Sequence, residues 1–217
     1  ETEPTSAKTM IAGGDLNGDG VSDLLISETW IDDFSGQVYV VLGPIEGGAV
    51  EDADARWTRD QSYFFGLRLA TGEVDGDGYD DAIVGSQSYT DQAGTFIYAG
   101  PSFVEAASIL AWDGYGASKA AVGDLNADGR DDLAIREYPG TADGQAVHVA
   151  FAPFSGALAV DDGAVATIFP DYTSACGGFG ASLVMADGNA DGNADLWIAD
   201  GCGVPDHAAF MFLGGVD

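Results

Sequence analysis

Short apolar runs recur along the chain, and each follows a loop rich in acidic residues. These runs are residues 24–26, 82–84, 133–135 and 196–198. A second apolar run follows each of them, at 37–42, 95–99, 146–151 and 208–213. The short length of the runs and the glycine-rich turns between them predict β-strands, whereas the spacing of an amphipathic helix is hard to find.

Each second run ends in a corner of small residues: Gly43-Pro44, Gly100-Pro101, Ala152-Pro153 and Gly214-Gly215. A further strand is predicted after the corner at 107–112 and 164–169, and also at 55–58. An aromatic-glycine pair then precedes the strand that leads to the next acidic loop, at Phe65-Gly66, Tyr115-Gly116 and Phe179-Gly180. Four short strands per repeat are typical of propeller blades, so the predicted fold is an all-β propeller of four-stranded antiparallel blades.

The four acidic loops mark four repeats, each long enough for one blade, within a single domain of residues 1–217. The approximate repeats are 1–60, 61–112, 113–169 and 170–217. The fourth repeat ends after its third strand, so its blade is predicted to lack an outer strand. Since an uncovered edge and open blade faces favour aggregation, three arrangements remain open. They are a compact four-bladed ring, a fragment of a longer propeller, and a homodimer that completes one ring.

The charge of the chain limits its partners. It contains 7 Lys and Arg against 36 Asp and Glu, a net charge of −29. This balance argues against nucleic acid or an anionic membrane surface as a partner. No apolar run is long enough to insert into a membrane. With 46% hydrophobic residues the chain has enough apolar side chains for a core, so the acidic residues are expected at particular places.

The acidic loops share one spacing, with Asp, Glu or Asn at positions one, three, five and nine and glycine at position six. The candidate metal ligands, with position seven contributing its carbonyl, are Asp15, Asn17, Asp19, Val21 and Asp23 in loop one; Glu73, Asp75, Asp77, Tyr79 and Asp81 in loop two; Asp124, Asn126, Asp128, Arg130 and Asp132 in loop three; and Asp187, Asn189, Asp191, Asn193 and Asp195 in loop four.

Clustered carboxylates repel one another unless a cation or solvent compensates them. Oxygen ligands at alternating positions, with a glycine for the sharp turn, suit Ca²⁺ better than the tighter octahedron of Mg²⁺. An EF-hand is excluded, because position twelve is Ile or Val instead of Glu and the flanking segments are predicted strands. We therefore expect up to four Ca²⁺ per chain, with loop four the weakest; the alternative is four polar turns without metal.

These residues resemble the FG-GAP repeats of the integrin alpha-subunit propeller: an aromatic-glycine pair, an acidic calcium loop and a corner ending in proline. The resemblance implies that the loop joins the first two strands of a blade and that Asp15, Asn17, Asp19 and Asp23, with their counterparts, are structural calcium ligands. It also implies a ligand-binding surface on the opposite face. The sequence departs from the family at residues 6–8, which lack the aromatic-glycine pair, and at Ala152 in the third corner. Propellers of that family have seven blades.

Loops on the face opposite the calcium carry aromatic and acidic side chains that could bind a protein or stack on a sugar. The candidates are Trp30, Asp32, Asp33, Phe34, Tyr63, Tyr89, Tyr138 and Tyr172. The alternative is that these aromatics pack between blades. Cys176 and Cys202, the only cysteines, are expected on the same face and are predicted to form a disulfide, which indicates a secreted, cell-surface or periplasmic protein.

The sequence contains no HExxH motif, no nucleophile elbow and no phosphate-binding glycine loop, so we do not expect an enzyme. The leading hypothesis is an extracellular calcium-binding propeller that mediates protein recognition or cell adhesion. The alternatives are a propeller lectin that binds glycans and an accessory propeller of a polysaccharide-acting enzyme. Fold analogy alone does not choose among these three.

Overall fold

The structure is a computed structural model. It describes residues 9–29, 35–59, 64–86, 94–110, 117–137, 146–159, 164–170, 178–201 and 209–215. Apart from one 3-10 turn at Val50–Asp52, the regular elements in these ranges are all β-strands. Within the same ranges, no helix has the length and apolar character needed to cross a membrane.

The strands are short, as the apolar runs predict. In chain order they are β1 (Thr9–Gly14), β2 (Asp23–Glu28), β3 (Gln37–Val41), β4 (Ala55–Thr58), β5 (Arg68–Gly72), β6 (Asp81–Ser86), β7 (Gly94–Ala99), β8 (Val104–Leu110), β9 (Ala117–Gly123), β10 (Asp132–Glu137), β11 (Val147–Ala150), β12 (Gly156–Ala159), β13 (Ala166–Ile168), β14 (Phe179–Ala186), β15 (Asp195–Asp200) and β16 (Ala209–Phe212). The strand predicted at 55–58 coincides with β4, whereas the one predicted at 107–112 begins earlier, at Val104.

The strands form four sheets, one for each acidic loop. Sheet one is β1-β2-β3-β4, sheet two is β5-β6-β7-β8 with β12 added, sheet three is β9-β10-β11-β13 and sheet four is β14-β15-β16. Neighbouring strands of each sheet pair antiparallel, apart from β12 and β8. The prediction of an all-β fold built from propeller blades is therefore confirmed, and sheet four has three strands within the described residues.

Sheet two differs from the prediction because it has a fifth strand. The strand β12 follows the corner of the third repeat and pairs in parallel with β8, from Gly156 opposite Ala107 to Ala159 opposite Leu110. Phe154 directs the chain there: its side chain is 4% exposed in the core between sheets two and three, and its N–H donates to the carbonyl of Val74 at 3.3 Å. The chain therefore returns from sheet three to cover the outer edge of sheet two.

Consecutive sheets stack face to face. Their first strands pack in sequence, β1 on β5, β5 on β9 and β9 on β14. Each sheet boundary contains a separate apolar core; one example is the core in which Leu25 and Val40 of sheet one meet Phe96 of sheet two. In the part of the chain that the structure describes, no comparable packing joins β14 to β1. Among the described residues, the four sheets therefore form a consecutive stack whose two outer faces are not paired with each other.

Two of the aromatic-glycine pairs place a large ring in a core between sheets; the third, Tyr115-Gly116, lies outside the described residues. Phe65 is 0% exposed and Phe179 is 1% exposed. The glycine after Phe65 has a φ of 82°, and a Cβ on it would collide with Ser27 and Val38 of the preceding sheet. Glycine is required here because it permits both the left-handed backbone and the close approach of two sheets.

Candidate metal centres

The four acidic loops occupy equivalent places in the fold. Each loop joins the first two strands of its sheet: β1 to β2, β5 to β6, β9 to β10 and β14 to β15. This placement agrees with the expectation from the resemblance. Because consecutive sheets stack in the same orientation, the loops follow one another along one end of the stack.

Two positions of every loop have a left-handed backbone. At position six the φ values are 83° for Gly20, 89° for Gly78, 87° for Gly129 and 93° for Gly192. At position four they are 74° for Gly18, 94° for Gly76, 62° for Ala127 and 63° for Ala190. Glycine at position six is predicted from the sequence, whereas the left-handed backbone at position four is not, because two of the loops carry alanine there.

The alanines at position four are expected to be strained. A left-handed conformation costs an L-residue about 1–2 kcal/mol, and glycine avoids this cost at the expense of a more flexible unfolded chain. We therefore expect Ala190→Gly to raise the free energy of unfolding by about 0.5–1 kcal/mol, measured by urea denaturation. The control Ala199→Gly in β15 is expected to lower it by about 0.5–1 kcal/mol. A destabilised Ala190→Gly variant would contradict the assigned conformation.

The carboxylate at position one organises its own loop. In loop one, Asp15 Oδ1 accepts the N–H groups of Gly18 at 2.8 Å and Asp19 at 3.1 Å, and Oδ2 accepts that of Gly20 at 2.9 Å. In loops three and four, Asp124 and Asp187 accept the bonds from the N–H groups at positions five and six. In loop two, Glu73 accepts the N–H of Gly76. These bonds curl the loop so that its side-chain oxygens lie close together.

The aspartate at position nine is the buried anchor of each loop. Asp23, Asp81, Asp132 and Asp195 are all 0% exposed. In loop two, Asp81 Oδ2 accepts the N–H of Val74 at 3.0 Å, and Oδ1 accepts that of Gly100, the corner residue, at 3.0 Å. The other three aspartates make the same pair of bonds. Each aspartate therefore links its loop to the corner that follows the third strand of the same sheet, such as Gly100 after β7.

Burial is unfavourable for these carboxylates when they are charged. It raises the pKa of both Asp81 and Asp132 to about 6, although the backbone N–H groups lower the pKa and so oppose the shift. The charges of Asp75 and Asp77 raise the pKa of Asp81 further. Nearby positive charge would favour the ionised form of a buried carboxylate. The donor set is thus suited to a cation.

Loop two has the most concentrated carboxylates. One oxygen from each of Glu73, Asp75 and Asp81 lies within 4.8 Å of the others. The pKa of Asp75 is raised by burial and then by the charge of Asp77. Hard cations such as Ca²⁺ bind carboxylate and carbonyl oxygens of this kind. The residues of loop two therefore fit the predicted metal.

The other three loops relieve part of this repulsion with an asparagine at position three. Its Nδ2 donates to the aspartate at position five, at 3.1 Å from Asn17 to Asp19, 3.2 Å from Asn126 to Asp128 and 2.8 Å from Asn189 to Asp191. Asn oxygens also suit calcium, so these loops keep a full set of oxygen donors with one fewer negative charge. Loop two therefore has four carboxylates at the candidate ligand positions, whereas each of the other loops has three.

Neighbouring loops are joined through position eight. The N–H of Asp80 donates to the Asp15 carbonyl at 3.1 Å, and the N–H of Asp15 returns a bond to Asp80 Oδ2 at 2.8 Å. Asp131 and Glu73 exchange the same two bonds, at 2.6 and 3.1 Å. In loop four Ala194 keeps only the backbone bond, to Asp124 at 3.0 Å. This role of position eight is not predicted above, although the Asp-Asp pairs in loops two and three are a signal of it in the sequence.

The predicted ligand face and disulfide lie outside the described residues. This applies to Trp30, Asp32, Asp33, Phe34, Tyr63, Tyr89, Tyr138, Tyr172, Cys176 and Cys202. The ligand face and the disulfide therefore stay predictions.

The comparison with known families supports the repeat assignment. Residues 73–135 match the FG-GAP-like repeat. This stretch begins at position one of loop two and extends through loop three into β10. A search of curated proteins finds no significant match to the chain. The predicted resemblance is thus confirmed for a segment that contains two of the four acidic loops.

Proposed function

We propose that this chain is a calcium-stabilised, integrin-like propeller segment that acts outside the cell in protein recognition or adhesion. The observation that supports the metal best is the buried aspartate at position nine, repeated in all four loops with the same two backbone partners. The match of residues 73–135 to the FG-GAP-like repeat supports the propeller.

The metal would have a structural role. Side chains at positions one, three, five and nine would supply oxygen ligands, and position seven would supply its carbonyl. Asp81 would then link the cation to the corner, because its two oxygens also hold the N–H groups of Val74 and Gly100. The chain would use Ca²⁺ to fix the first hairpin of each blade and not to carry out a reaction.

An extracellular location follows from the same proposal. Calcium-binding modules outside the cell often bind with dissociation constants of about 0.1–1 mM, which match the calcium available there. At a net charge of −29, bound cations would also reduce the repulsion among acidic groups. Recognition would use the face opposite the loops, where we propose that Trp30 and Tyr89 contact a protein partner. Glycan binding that is lost in Trp30→Ala and Tyr89→Ala would support the lectin alternative instead.

Calcium binding can be measured directly. Isothermal titration of the chelator-treated chain with Ca²⁺ is expected to give up to four sites, and calcium is expected to raise the melting temperature. A single site stabilises the folded chain by about 2.7 kcal/mol when free calcium is one hundred times its dissociation constant. Asp77→Ala should remove the site in loop two, whereas the control Glu46→Ala, an exposed residue outside the loops, should leave the number of sites unchanged. A melting temperature indifferent to both calcium and chelator would refute the proposal.

A further inference from the structure

All boundaries between sheets inside the chain are built from the same positions. Two residues after the position-nine aspartate, one side chain of each sheet points toward the next sheet. These residues are Leu25, Ile83 and Ala134, which are 0%, 1% and 0% exposed. The corresponding residue of sheet four is Trp197, which is 38% exposed. Trp197 thus occupies a stacking position without a following sheet in the described chain.

Trp197 lies in an apolar row across sheet four. The strand register places Val184 of β14 opposite Trp197 and Trp197 opposite Met211 of β16. Val184 is 51% exposed and Met211 is 46% exposed. Sheet three packs against the other face of sheet four, where Leu196 and Ile198 are buried. The row therefore belongs to the outer face of the stack.

Sheet one presents the complementary face. Leu24 and Val41, a cross-strand pair, match Ala82 and Tyr98 of sheet two in register, and the latter pair is buried against sheet one. On sheet one the corresponding surface forms a groove of about 200 Å³, lined by Leu24, Ile26, Val41, Ile45 and Val50 among others. Ile45 is 46% exposed. The outer faces of sheets one and four are thus the two opposite halves of one repeated interface.

The backbone hydrogen bonds between consecutive acidic loops also run in one direction along the stack. At each internal boundary the N–H at position eight of the later loop donates to the carbonyl at position one of the earlier loop, as Asp80 does to Asp15. At the two ends of the stack, Ser22 holds position eight of loop one and Asp187 holds position one of loop four. If the two end faces dock, the N–H of Ser22 would face the carbonyl of Asp187. The match of apolar rows and of backbone groups favours a sheet-one face as the occupant of the sheet-four face.

We propose that sheet four of one copy stacks on sheet one of a second copy, and that two copies close head to tail into one ring. The proposed contact continues the interface already repeated inside the chain. Two copies with four sheets each would make eight blades, at the upper end of the roughly 4–8 blades that propellers have. Because the contact joins two different faces, it is heterologous, and a ring forms when the rotation closes.

The test is the mass of the purified chain in solution with millimolar calcium, measured by light scattering on a sizing column. The expected mass is that of two chains. Val184→Asp and Ile45→Asp each place a charge in one end face and are expected to give monomers, since burying an unpaired charge is unfavourable. Met211→Asp provides a second variant of the sheet-four face. The matched control Phe169→Asp, at a residue 65% exposed after β13, adds the same charge and should remain dimeric.

Mixing the two monomeric variants tests the head-to-tail geometry. Val184→Asp keeps an intact sheet-one face and Ile45→Asp keeps an intact sheet-four face, so an equimolar mixture should form a dimer through one interface. A wild-type chain that is monomeric at all concentrations would overturn the proposal. Blades other than the four described here would then be the alternative occupants of the end faces. Dimeric Ile45→Asp with monomeric Val184→Asp would overturn it in favour of a symmetric sheet-four contact. These substitutions lie outside the acidic loops, so calcium stoichiometry tests the proposed function separately.

Discussion

Replacing Phe65 with alanine is expected to lower the free energy of unfolding by about 3–5 kcal/mol. The ring is fully buried at the boundary between sheets one and two, and its centroid lies 6.1 Å from that of Phe96 and 6.4 Å from that of Tyr98. Truncation removes these contacts and leaves a cavity that the two sheets fill only in part. Urea denaturation in calcium measures the loss.

The exposed residue Phe169 provides the control for this substitution. Phe169→Ala removes the same atoms from a side chain that is 65% exposed, so its effect should stay within about 0.5 kcal/mol. If Phe65→Ala were equally mild, the boundary between sheets one and two would not be a packed core. Such a result would also count against the proposed stacking of the end faces, because that contact is expected to repeat the internal boundaries.

Asp81→Ala is expected to destabilise the chain by about 2–5 kcal/mol even without metal. The substitution removes the acceptor of two backbone N–H groups, those of Val74 and Gly100. A buried donor left without a partner costs about 1–3 kcal/mol. In calcium the loss should be larger, because the proposed site in loop two would also disappear. Urea denaturation with and without chelator measures both contributions.

Asp77→Ala separates the two contributions. Asp77 is an exposed residue of the same loop and has no bond to the corner. In chelator this variant should be close to wild type, whereas in calcium it should lose the stabilisation of one site. If Asp81→Ala and Asp77→Ala were equally stable in chelator, the bridge from the loop to the corner would not contribute to the fold. If both were indifferent to calcium, the metal proposal would fail and the bridge could still hold.

Sequence patterns predict most of the fold because the fold is repetitive. The acidic spacing, the apolar runs and the corners each recur four times. A strand or loop whose pattern is ambiguous in one repeat can therefore be assigned from the other repeats. The places of the four loops, between the first two strands of each sheet, follow from this repetition. The spacing alone predicts the position-nine aspartate as a metal ligand. Its second role, as acceptor for the corner N–H, was not visible because that bond spans about twenty residues, 19 in the case of Asp81 and Gly100.

Features that depend on contacts between repeats were not predicted. The bond between Asp80 and Asp15 joins two different loops, and spacing within one loop carries no information about it. The left-handed backbone at position four was hidden because Ala127 and Ala190 occupy it in place of glycine. The strand β12 is not predicted, because its sequence, Gly-Ala-Leu-Ala, is short and consists mostly of small residues like those of the turns around it.

Because of the strand β12, the sequence repeat and the folded sheet do not have the same boundaries. The sequence repeats once per acidic loop, yet Gly156–Ala159 from the third repeat completes the hydrogen bonding of β8 in the second. Excising the second repeat alone would leave β8 with a bare edge, and excising the third alone would leave β12 without a partner. Recombination of such repeats would therefore conserve these two as a pair, and a boundary drawn between them at residue 112 would divide one sheet between two pieces of chain.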